Sequence, residues 1–190
     1  MSAGADAGTP PTWPAVGTLA WGPALERPEL LAAPVADALR GWQHAHRVAV
    51  CDIDPDLADT AEFAATYQVP LEVSANCVVV AGRRGGDERV AACVVLATTR
   101  ADVNGAVRRL LDVRKASFLA MDAAVERSGM EYGGITPIGL PGDWPVLVDA
   151  AVLAAGAAVV GSGLRRSKLA LPGGLVAELP GARVVEGLAR

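Results

Sequence analysis

The chain has 190 residues, 52% of them hydrophobic and 20% charged, with a formal net charge of −4. This excludes global disorder, and with a pI near 5.2 it excludes a broad, sequence-indifferent nucleic-acid binder, which carries excess basic charge. A small pocket that grips one nucleotide end stays open. Mean hydropathy is high at +0.32, but no stretch approaches the roughly 20 uncharged apolar residues of a membrane helix. The longest apolar run, 146–160, is broken by Asp149. With aromatics at only 4%, the core must be built from Ala, Val and Leu.

Residues 1–14 are rich in Gly, Ala, Pro and Thr. They lack the basic and apolar segments of a signal peptide, which predicts a disordered leader ahead of one domain over 15–190. Residues 28–46 read as a helix, regular from Pro34, with Val35, Leu39 and Trp42 on one face. Residues 47–53 alternate like a strand, and 54–67 start with Pro55 and acidic residues like a second helix. The apolar runs 77–81 and 90–97 flank a Gly85-Gly86-Asp87 turn, which predicts a central hairpin buried on both faces. Thr99 is placed to cap a helix carrying Val103, Val107, Leu110 and Leu111, and Gly129 to end one over 121–128. Short apolar runs at 145–148, 157–160, 167–171 and 182–185 follow, with a short helix at 174–179 between the last two. The fold class expected is α+β.

Asp52, Asp54, Asp56 and Asp59 follow a strand, as the paired aspartates of haloacid-dehalogenase phosphatases do, but Pro55-Asp56 stands where that family has Gly-Thr. Helix-start carboxylates account for all four. Cys51, Cys77 and Cys93 contain no CxxC and sit in apolar runs, as small buried hydrophobes of a reducing cytoplasm do. Pairing any of them with His44 or His46 as a nucleophile needs a geometry that spacing does not supply. Two histidines and no CxxC are poor raw material for a zinc site. Gly161-Ser162-Gly163 before Arg165-Arg166-Ser167-Lys168 could form an anion nest with basic flanks, or equally a solvated turn between strands.

Gly133-Gly134-Ile135-Thr136-Pro137, preceded by Ser128-Gly129-Met130-Glu131-Tyr132, resembles the glycine loop of the YbaK/prolyl-tRNA-synthetase-associated family of aminoacyl-tRNA editing domains. The hairpin, the 101–112 helix, Arg114-Lys115, the 121–128 helix, Pro145-Val146-Leu147-Val148-Asp149 and Gly161-Ser162-Gly163 come in the family's order, over about 47–185. The resemblance implies a mixed, mostly antiparallel, partly barrel-like sheet surrounded by helices. It implies a deacylase that removes a small, wrongly attached amino acid (Ala, Ser, Cys) from tRNA. No metal or cofactor is implied. The implied partners are the aminoacyl-tRNA 3′ end and an aminoacyl-tRNA synthetase, with no DNA and no membrane. The implied catalytic positions are Asn76, Gly133, Gly134, Ile135, Thr136 and Pro137, with Asp149, Gly161, Ser162 and Gly163 binding substrate. Asn76-Cys77 stands where active relatives carry Lys-[Ser/Thr], and an amide cannot supply an ammonium's charge. A catalytically silent pocket that binds aminoacyl-tRNA, an amino-acid derivative or a synthetase is therefore the alternative.

Overall fold

The computed structural model describes residues 13–190. The expected leader over 1–14 lies, but for its last two residues, outside them. The expected hairpin organises the rest. Strand β3 (Ala75–Arg84) pairs with β4 (Asp87–Leu96) from Ala75↔Leu96 to Arg84↔Asp87. Gly85 and Gly86, at φ 62° and 99°, make the two-residue turn between them. Side chains with a Cβ resist that backbone, so the glycine pair fixes both turn and register. The strands outrun their apolar stretches because Arg83, Arg84, Asp87 and Glu88 carry the tip into solvent.

Five strands form the first sheet, in the order β5 (Ala116–Phe118), β3, β4, β6 (Val146–Asp149), β9 (Ala182–Val185). The β4–β6 and β6–β9 pairs are parallel, made by crossovers through 97–145 and 150–181. The second sheet is antiparallel throughout: β1 (Gly22–Pro23), β2 (Ala49–Asp52), β8 (Ser167–Pro172), β7 (Ala157–Gly161). The sheets join where Ser74 bridges Val159 in parallel and Val159 N–H donates to the Val73 carbonyl at 2.7 Å. This junction makes the assembly partly barrel-like, and it places the start of β3 beside the middle of β7.

Burial follows the two-sided apolar pattern of the hairpin. Val94 belongs to a core shared with Val35, Leu39, Val50, Val148, Val160 and Leu169. Val80, Cys93 and Val95 pack on the opposite face with Val107, Leu111 and Leu147. Val80 and Val94 are fully buried, whereas Val78 and Leu96 are half-buried, Val78 because it borders a cleft.

The helices are shorter than the sequence pattern suggests. The segment 28–46 divides into a 3₁₀ turn (Pro28–Leu30), α1 (Ala33–Gly41) and a second 3₁₀ turn (Ala45–Arg47). Pro34 lies in the first turn of α1, where its missing N–H is harmless, and the extended backbone of Trp42 ends it. The 54–67 segment splits into a 3₁₀ turn (Pro55–Leu57) and α2 (Thr60–Tyr67), which starts after Asp59 in extended geometry. The segment after β4 is capped by Asp102, not Thr99: both Asp102 oxygens accept main-chain N–H groups, from Gly105 and Ala106 at 3.0 Å. It begins as a π-helical turn (Val103–Val107) before a single α-turn, α3 (Arg108–Leu110). Helix α4 (Met121–Ser128) ends at Gly129, φ 66°, as its sequence requires. Helix α5 (Ala150–Ala154) interrupts the long apolar run, and Gly173–Glu178 forms a 3₁₀ helix. Among the described residues, no helix is long and apolar enough to cross a membrane.

Candidate functional site

A cleft of about 340 Å³ opens at the junction of the two sheets, within the size range of small-molecule sites. Its walls differ in kind. One is main chain. The Gly134 carbonyl accepts the Gly163 N–H at 2.8 Å, and the Gly163 carbonyl accepts the Glu131 N–H at 2.8 Å. The Glu131 carboxylate accepts the Arg165 N–H at 2.6 Å. These bonds lock the 131–135 loop onto the 161–165 turn. Glycine is required here by contact distance: a Cβ at Gly161 would fall on the Gly134 carbonyl oxygen, and one at Gly134 would lie 2.6 Å from the Leu164 carbonyl carbon. Two segments almost thirty residues apart meet because Gly134 and Gly161, where they touch, carry no side chain.

The opposite wall is built of side chains from α2, β3 and β8. Thr60 Oγ1 donates to Asn76 Oδ1 at 2.9 Å, which fixes the amide and leaves its NH₂ group with no protein acceptor among the described residues. Phe63, Cys77, Val78 and Val159 supply apolar surface. Lys168 enters from β8, donating to the Ala58 carbonyl at 3.0 Å with Nζ 5.2 Å from the centre of the Phe63 ring. At the rim, Arg165 lies against Gly133 and pairs with Asp59 at 3.2 Å.

Of the residues singled out from sequence, Asn76, Gly133, Ile135 and Gly161 line this cleft, with Gly134 directly behind. The others are elsewhere. Thr136 is fully buried, and its hydroxyl finds no partner among the described residues. Pro137 borders a separate, more apolar cleft with Trp42, Leu140 and Trp144. Asp149 caps α5 by accepting the Ala151 N–H at 2.9 Å, and its second oxygen accepts the Ala189 N–H at 2.9 Å. Ser162 Oγ is buried in a bond to Ser167 Oγ at 2.7 Å, and Gly163 packs on Ala32, Val35 and Met130. The 161–165 turn is no open anion nest: the N–H groups of Gly163, Leu164 and Arg165 are already engaged by Gly134, Ser162 and Glu131.

Among the contributors that the sequence reading of the site missed are Asp59, Thr60, Phe63 and Lys168. Lys168 stood out only as part of a basic run. The available signal was a lysine inside a strand, with Leu169 and Leu171 on the alternate face buried in the core. Burial lowers the Lys168 ammonium from 10.5 to about 8, helped by the nearby Arg165. Burial likewise pushes the Cys51 and Cys93 thiols up to about 12 and raises that of Cys77, so none is an activated nucleophile. Asp54 accepts the Asp56 N–H at 2.9 Å, Asp52 pairs with Arg27 at 3.7 Å, and Asp59 is held by Arg165. The acidic cluster is thus dispersed over local tasks.

The structure is similar in fold to a protein described as a candidate trans-editing enzyme for prolyl-tRNA synthetase. The TM-score is 0.70 at 21% identity, covering 82% of this chain and 94% of the other. A scaffold from a study of computational epitope grafting matches with a TM-score of 0.69 at 21% identity, over 82% and 95% of the two chains. A hypothetical protein matches with a TM-score of 0.65 at 22% identity, over 74% and 90%. A search of curated protein sequences found no match. The model of one sequence family, described as an aminoacyl-tRNA editing domain, matches residues 54–178. That stretch spans well over half of the chain and holds the glycine loop, the hairpin and all the residues that line the cleft, so the chain belongs to the family of aminoacyl-tRNA editing domains.

Proposed function

We propose that this protein is a trans-editing aminoacyl-tRNA deacylase, a hydrolase that removes a small, wrongly attached amino acid from the tRNA 3′ end. The observation that carries the reading is the cleft itself: a rigid main-chain wall facing a fixed amide across a space sized for an aminoacyl-adenosine end. An aminoacyl ester is an activated bond, so its hydrolysis needs orientation and a held water more than a strong nucleophile. In this reading the 133–135 main chain positions the aminoacyl group, and the Asn76 NH₂ donates to a substrate oxygen. Phe63, Val78 and Val159 limit the amino acid's side chain to a small one. The reaction calls for no metal or cofactor. It calls for a cytoplasmic protein that meets charged tRNA, with prolyl-tRNA synthetase as the synthetase suggested by the structural relative.

The neutral Asn76 gives specific support to a second reading, a silent pocket that binds the aminoacyl end without cleaving it. One experiment separates the two. The protein is incubated with Ala-, Ser- and Cys-charged tRNA, tRNA for proline first, and the remaining ester is followed. Loss above the spontaneous rate supports the deacylase. Slower loss than in buffer supports the binder, and a rate equal to buffer on every tRNA overturns both.

A further inference from the structure

The chain has two lysines, Lys115 and Lys168, and Lys168 is the one that lines the cleft. An ammonium offers three N–H donors. Among the described residues Lys168 uses one, to the neutral Ala58 carbonyl, and no carboxylate lies within ion-pairing distance of it. Among the described residues the one carboxylate lining the cleft, Asp59, is turned toward Arg165. Filling this strand position requires only an apolar side chain, since the neighbouring Phe63, Cys51 and Val159 are apolar and buried. A cation there, partly withdrawn from water and using one donor on the Ala58 carbonyl, keeps two donors for oxygen atoms that enter the cleft.

Resting on the deacylase reading, we propose that Lys168 is a catalytic residue: its Nζ donates to the carbonyl oxygen of the scissile ester and holds the negative charge that gathers there. Water adds to the carbonyl carbon, and the C=O π pair moves onto the oxygen facing Lys168. When that pair returns, the bond from carbon to the ribose oxygen breaks, and a proton from the attacking water ends on that ribose oxygen. The products are the free amino acid and the tRNA 3′ end with its hydroxyl restored. Lysine keeps its protons throughout. Such a donor acts where charge develops, so it speeds the chemical step more than it tightens binding. The groups facing Lys168 are Asp59 at the start of α2, Arg165 on the β7–β8 turn, Cys51 on β2 and Cys77 on β3. The two thiols are pushed well above neutrality by burial. Burial lowers the Lys168 ammonium to about 8, so it loses its proton just above neutral pH.

The test uses Ala-tRNA for proline, with the full chain and its Lys168→Met, Lys168→Gln and Lys168→Arg variants, each checked for its melting transition. Methionine and glutamine should lower kcat about 10²- to 10³-fold while KM moves less than about threefold. Wild-type kcat, corrected for spontaneous hydrolysis, should fall above about pH 8, and the arginine variant should lose that fall because guanidinium stays charged. A purely structural lysine would leave the pH profile unmoved. An active wild type whose folded methionine and glutamine variants keep kcat within about threefold overturns the proposal and leaves the deacylase reading standing. A wild type inactive on every charged tRNA overturns the deacylase reading, and the proposal with it.

Discussion

The two walls of the cleft solve the same problem by different physics. The glycine wall is held by main-chain hydrogen bonds between 131–135 and 161–165, and side chains matter there chiefly by being absent. The facing wall is made of Thr60 and Phe63 on α2, Asn76 on β3 and Lys168 on β8, and it can change chemistry by one substitution. Geometry is therefore stored on one side and electrostatics on the other. Replacing an atom on the first side should damage both fold and activity; replacing one on the second should separate them.

The sharpest way to break that contrast is Gly161→Ala. The new methyl would meet the Gly134 carbonyl, a main-chain atom that cannot swing aside. A loss of about 2–3 kcal/mol in denaturant unfolding is expected, with ester hydrolysis reduced at least about 100-fold. An alanine variant of wild-type stability and rate would show that the walls are not held by close main-chain approach.

Lys168→Met tests the other wall and should move stability the opposite way. Burial lowers the ammonium from 10.5 to about 8, so between those values the unfolded chain binds the proton and the folded chain does not. Stability due to this group thus rises with pH through that window and is at its lowest below pH 8. The gap corresponds to about 3 kcal/mol, an upper figure for what methionine gains near pH 7 and fails to gain at pH 10.5. Unfolding of both proteins in urea at the two pH values measures it.

Two changes away from the cleft set the baseline. Asp149→Ala removes the α5 cap and the bond from the Ala189 N–H. About 1–2 kcal/mol of stability should be lost, with the rate of ester hydrolysis of the folded protein retained; a selective fall in that rate would bring Asp149 back into the site. Thr136→Val conserves shape while deleting a buried hydroxyl that lacks a partner. Stability should rise by up to about 1 kcal/mol, read from the urea midpoint, and a drop would mean the hydroxyl is bonded in solution.

Local chemistry explains which features could be read from sequence. Gly85-Gly86 between apolar runs dictates a hairpin because few other residues accept both left-handed positions. Gly129 ends α4 for the same reason. Helix lengths were overread: apolar spacing at 28–46 and 54–67 persists through segments whose backbone is interrupted at Trp42 and Asp59. Periodicity reports which residues face the core, and 3₁₀ turns satisfy it as well as an α-helix does.

By itself, the sequence determined the hairpin, the α+β class and the glycine loop, since each rests on backbone preferences carried by a few adjacent residues. Only the tertiary structure decided what the cleft contains. Asp149 and Ser162 are polar residues whose hydrogen-bonding capacity is taken up within the fold, by the N–H groups of Ala151 and Ala189 and by Ser167. Lys168 lies more than 90 residues from Asn76, and β8 brings it to the same cavity by pairing with β2 on one side and β7 on the other. A strand's alternation says that two sets of side chains point apart; which set meets the core and which the cleft depends on how the sheets close.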